Sequence, residues 1–114
     1  MLVYEEGKRV RVLNNTGSDI PAGELVKVGN WIGMAFSDIP SGQEGTLVIK
    51  GVVEAKAADP AVEIPSGTLL QFDPSTGKVQ PKDPNANLPV IGKAFETKPI
   101  NRSTILVLLM PELY

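Results

Sequence analysis

Ile20-Pro21-Ala22-Gly23-Glu24-Leu25-Val26 returns later in the chain as Ile64-Pro65-Ser66-Gly67-Thr68-Leu69-Leu70. Two further matches follow in the same order. Ile32-Gly33-Met34-Ala35-Phe36 pairs with Ile91-Gly92-Lys93-Ala94-Phe95, and Thr46-Leu47-Val48-Ile49 with Thr104-Ile105-Leu106-Val107. Three matched segments in one order favour an internal duplication over chance likeness among short β motifs. The repeated unit reads as turn, strand, hairpin, strand, turn, long strand. Its second copy carries extra residues around Pro81 to Leu88.

The segments between the turns are short and rich in β-branched residues, which suit a pleated surface. Strands are expected at Val10–Leu13, Leu25–Val28, Trp31–Phe36, Thr46–Glu54, Leu69–Phe72, Lys78–Gln80, Val90–Phe95 and Thr104–Met110. No long helix is expected. At most Ala55–Asp59 forms one helical turn before Pro60 ends it. Glycine (11) and proline (10) are spread evenly along the 114 residues, which cuts the chain into short pieces. In the Ile-Pro-x-Gly tetrads, of which Ile39-Pro40-Ser41-Gly42 is a third, proline suits the second turn position and glycine the fourth. Gly29-Asn30 suits a primed two-residue hairpin, and Asp73–Lys78 a longer one.

These signals predict an all-β fold: a compact antiparallel barrel or sandwich of short strands with an internal pseudo-repeat. One β domain is expected over residues 1–114, with an N-terminal arm at 1–7 and a Pro-rich loop at 81–89. The length supports one real core, because a chain of this size buries about two-thirds of its unfolded surface. The strand from Thr104 to Met110 is apolar on both faces. It must lie centrally, covered on both sides, or be buried at a subunit interface.

Chemistry is hard to place on this chain. Histidine and cysteine are both absent, which removes the usual neutral-pH base and the thiolate nucleophile or zinc ligand. Asp38, Asp59, Asp73 and Asp83 all sit in turn contexts, where the default role is hydrogen bonding to turn amides. Ser75-Thr76-Gly77-Lys78-Val79 superficially resembles a phosphate-cradling loop, but the first glycine and the Ser/Thr after the lysine are missing. The net charge is −2 and the basic residues are scattered. Nucleic-acid binding needs a concentrated positive face, so no nucleic acid is expected as partner. No secretion signal is visible, and no apolar run is long enough to span a membrane. No enzyme activity, cofactor or metal site is therefore expected. Leu2, Val3, Tyr4 and Trp31 are the candidate partner contacts, as aromatic and apolar residues near a terminus or a turn; core packing is the first role expected for Trp31, and Leu2-Val3-Tyr4 suits either a docking arm or a paired edge strand.

The order of Ile20–Val26, Ile32–Ala35, Gly45–Glu54, Ser66-Gly67, Phe72-Asp73, Gly77-Lys78-Val79 and Ile91–Phe95 resembles the small tailed-phage capsid decoration, or cement, proteins. Members of that family have also been labelled predicted phage recombinases, against which the missing nucleotide site counts here. The resemblance implies a structural virion protein. Such a protein is made in the host cytoplasm, binds the major capsid protein on the outside of the head and stabilises the shell, often as a homotrimer. The alternative is a free-standing β-barrel ligand-binding module without catalytic activity.

Overall fold

In a computed structural model, residues 3–114 are described, with side chains from Lys8 onward. Eight strands form: β1 (Val3–Leu13), β2 (Leu25–Val28), β3 (Trp31–Ala35), β4 (Glu44–Ala57), β5 (Leu69–Asp73), β6 (Lys78–Pro81), β7 (Val90–Ala94) and β8 (Thr104–Leu109). A short 3-10 turn follows at Pro111–Leu113. The expected strands all appear. The helical turn expected at Ala55–Asp59 does not, because β4 continues through Ala57 and pairs Ala55 with Ile105 and Lys56 with Thr104.

The duplication is visible in the pairing. In the first half the order is β1-β4-β3-β2, every neighbour antiparallel. In the second half the order is β4-β8-β7-β5, again antiparallel throughout. β4 therefore acts twice. Its N-terminal part is the last strand of the first unit, and its C-terminal part is the first strand of the second.

The register sharpens the sequence alignment. Ala35 faces Leu47 and Ala94 faces Val107. Thr46–Ile49 therefore corresponds to Leu106–Leu109, two residues beyond the match read from the sequence. Side chains alternate with period two, so a slip of two keeps each residue on its own face and leaves the apolar pattern intact.

The halves differ in how they close. The first turns through Gly29-Asn30 with Val28 opposite Trp31. Gly29 has φ 61° and Asn30 a negative φ, as a type II′ hairpin requires. The second half replaces this tight turn with β6 and the 81–89 loop. β6 pairs antiparallel with β5 and parallel with the end of β4. That closes a five-stranded ring, β4-β6-β5-β7-β8, and leaves the first half as an open sheet beside it.

The Pro-x-Gly turns share one geometry, placed one residue later than the sequence predicts. Proline is the first turn residue, and its carbonyl accepts from the residue after glycine: Glu24 to Pro21, Gln43 to Pro40 and Thr68 to Pro65. Gly23, Gly42 and Gly67 occupy the third position at φ 83°, 80° and 87°, which type II turns demand. Each glycine also opens a bulge. The amides of Gly23 and Gly67 donate to Ala35 and Ala94, whose own amides donate to Glu24 and Thr68. Two residues thus oppose one, and the chain bends into the next strand.

A fourth copy escaped the sequence reading. Ile20 bridges Ile39 in the first half, and Ile64 bridges Lys98 in the second. Thr97-Lys98-Pro99-Ile100-Asn101 thus stands where Asp38-Ile39-Pro40-Ser41-Gly42 stands. Asn101, at φ 64°, takes the glycine's left-handed conformation, which Asn tolerates better than most residues.

β8 lies between β4 and β7, with Ile105, Val107 and Leu109 buried in the chain's own core. Of the two fates expected for this strand, central placement holds: one face is buried in the core, while Leu108 on the other is half-buried. Gly33 and Gly92 occupy equivalent positions where backbones meet. A Cβ would lie 2.5 Å from the Val48 carbonyl oxygen at Gly33 and 1.9 Å from that of Leu108 at Gly92. Gly92→Ala is expected to destabilise the fold by about 3 kcal/mol or more, and Gly33→Ala by less. Urea denaturation of the two variants checks the ranking.

Candidate functional site

The carboxylates singled out in the sequence all serve turns. Asp38 accepts from the Ala22 amide at 2.8 Å, Asp59 from Ala61 at 3.0 Å, Asp73 from Ser75 at 2.9 Å and Asp83 from Asn85 at 2.9 Å. Hydrogen bonds from the Ser75 side chain and amide hold the Asp73 carboxyl below its usual range. That anion occupies the Ser75–Lys78 loop, where a phosphate would have to sit. Among the described residues no group of three or more Asp, Glu, His or Cys is placed to hold a metal ion. None of their helices is long and apolar enough to cross a membrane.

Among the described residues three polar side chains are buried: Asn14, Gln71 and Lys98. Each is satisfied, as burial requires. Gln71 organises the Pro-rich loop. Its amide nitrogen donates to the Leu88 carbonyl at 3.2 Å, and its oxygen accepts from Asp83 N at 2.9 Å. The loop is thereby folded onto β5.

Asn14 and Lys98 perform the same task in opposite ways. Asn14 Nδ2 donates to the carbonyls of Ser18 and Ile39, both at 2.8 Å, tying the loop before Ile20 to the facing turn. In the second half Ala57 takes the place of Asn14: Asn14 N donates to Gln43 O, and Ala57 N to Ser103 O. The tie comes instead from the other side. Lys98 stands in place of Ile39, and its ammonium donates to the carbonyls of Pro60, Pro99 and Arg102 at 3.0, 3.1 and 3.0 Å. Neither partner of this exchange is visible as a signal in the sequence, because a lysine between two turn residues reads as solvated.

Several large apolar side chains stay exposed. Phe36 and Phe95 hold equivalent places just after β3 and β7 and are both exposed. The Arg9 guanidinium lies 3.9 Å over the Phe36 ring. Trp31 is 39% exposed at the β2–β3 hairpin. Beside it the Tyr114 hydroxyl accepts from Ile32 N at 3.1 Å and donates to Ile32 O at 2.8 Å. The phenol caps a stretch of β3 that β4 leaves unpaired, and Leu113 and Tyr114 join Trp31 as exposed apolar groups. Of the other candidate contacts, Leu2 lies outside the described residues. Val3 and Tyr4 belong by backbone to β1, where Val3 opposes Val53, and their side chains lie outside the description. The arm expected at residues 1–7 is thus, from Val3 on, the start of β1.

A groove of about 400 Å³ runs between the Pro21–Leu25 turn, Glu54–Lys56, Thr76-Gly77 and Thr104. It is open, and among the described residues no aromatic side chain lines it.

The described residues thus form a duplicated β fold with satisfied turns and exposed aromatic side chains. The model of the phage cement protein family matches residues 4–109, and the chain belongs to that family. No match was found among curated proteins.

Two variants test this reading of the buried ties. Lys98→Ile is expected to cost about 3 kcal/mol, because it strands three carbonyls that the ammonium now satisfies. Adding Ala57→Asn rebuilds the first half's arrangement and is expected to recover part of that loss in thermal denaturation. Tyr114→Phe removes both bonds to Ile32 and is expected to cost about 1 kcal/mol. Desolvation raises the Tyr114 pKa above its ordinary value of 10.0, so the folded state retains the proton more firmly than the unfolded chain. The tyrosine's advantage over phenylalanine is fully present below about pH 10 and falls as pH rises beyond it. Melting temperatures of the two proteins on either side of that pH check the sign.

Proposed function

We propose that this protein binds the outside of a phage head as a structural virion component and stabilises the shell, with the major capsid protein as its partner. The observation that carries this reading is the family match across nearly the whole chain. The fold supports it. A head surface repeats the same contact many times, so modest interfaces sum by avidity. The chain offers apolar groups for such contacts at the equivalent positions Phe36 and Phe95 and at Trp31. The reading assigns no catalytic, cofactor or metal role to any residue. Nucleic acid and membrane have no part in it. Homotrimer formation belongs to it as well.

The purified protein is expected to co-sediment with expanded heads that lack it and to raise their melting temperature. Absence of binding at micromolar concentration overturns the reading.

A further inference from the structure

The duplicated halves allow each position to be compared with its counterpart on the same backbone. At the Ile20–Ile39 bridge the interior is apolar and the outside polar. Ile39 is buried, while Ser18 and Ser41, each two residues from the bridge, are exposed. At the Ile64–Lys98 bridge this pattern is inverted. Lys98, at 1% exposure, is inside, and the counterparts of the two serines are Val62 at 40% and Ile100 at 61%. Ile100 is the most exposed large hydrophobic side chain among the described residues.

A buried charge is costly to desolvate, and exposed aliphatic groups gain nothing from water. Both departures fall at one end of the ring. They are also mechanically linked. Lys98 bonds the Pro60 carbonyl on one loop and the Pro99 and Arg102 carbonyls on the other. The ammonium therefore fixes the Val62 loop against the Ile100 loop, and a contact surface with little freedom left loses little entropy on binding.

We propose that Val62 and Ile100, held by Lys98, form the end of the molecule that seats on the capsid shell; this rests on the head-binding reading above. Two aliphatic side chains cover a few hundred Å² at most, well under the roughly 800 Å² per partner that a lone stable interface needs. A second copy of the chain is thus a poor occupant, whereas a shell that engages many copies at once is a good one. The rim has a net negative charge from Asp59 and Glu63, exposed beside Val62, while Glu96 is paired with Arg102 at 3.8 Å. The fitting partner is an apolar protein surface bordered by basic side chains.

The test compares the intact protein with Val62→Ser/Ile100→Ser and with Glu63→Lys, by co-sedimentation with expanded heads and by light scattering. The double substitution gives this end the first half's own residues, and both positions are exposed, so melting temperatures are expected to change little. Head affinity is expected to fall about tenfold or more in the double variant, with molar mass unchanged. Glu63→Lys is expected to weaken binding and to flatten its salt dependence. Unchanged head affinity in the double variant, while the intact protein binds, overturns this assignment alone. A molar mass that drops in the double variant marks the patch as an interface between copies and also overturns it. If the intact protein does not bind heads, this assignment falls together with the head-binding reading.

Discussion

Everything in this molecule is arranged around the pairing of β4. Its 14 residues carry partners on both edges along most of their length. β1 and then β6 lie along one edge, and β3 and then β8 along the other. Neither half can form its sheet without its share of this strand. The ring closes only because β6 returns to the far end of the same strand. Packing follows pairing. The face of the open sheet bearing Leu25, Ile32, Met34 and Val48 joins the core built around Phe72 and Ile105, and the opposite face gathers Val12, Ile39, Leu47 and Ile49 into a second cluster.

Strand positions and turns were legible in the sequence because each rests on local chemistry. β-branched runs, Pro-x-Gly and Gly29-Asn30 announce themselves within a few residues. What lay hidden depends on contacts between distant residues. The two-residue slip in the third repeat segment was invisible because period-two alternation scores both alignments alike. The turn at Thr97–Asn101 was missed because Lys98 and Asn101 replace the isoleucine and glycine that marked the other copies. β6 looked like an ordinary hairpin strand, and only its parallel pairing with Lys56 and Ala57 makes it the closing member of a ring.

The surface was harder to read than the fold. Trp31 was picked out by residue type and is exposed, but the hydroxyl that bonds the backbone of the adjacent Ile32 comes from the distant Tyr114. Val62 and Ile100 carried no signal at all, since one exposed aliphatic residue in a turn is unremarkable. They acquire meaning only beside Ser18 and Ser41. An internal duplication thus supplies its own reference: where two copies share a backbone, divergence between matched side chains separates what the fold requires from what it merely permits.

The shared strand also governs how a copy fails. A protein of two linked domains can lose one and keep the other. Here no cut along the chain leaves both halves whole, since each draws part of its sheet from the same strand. Damage at one end therefore propagates to the other. A population of such molecules on a lattice would contain intact copies and missing ones, with few half-folded copies holding a place.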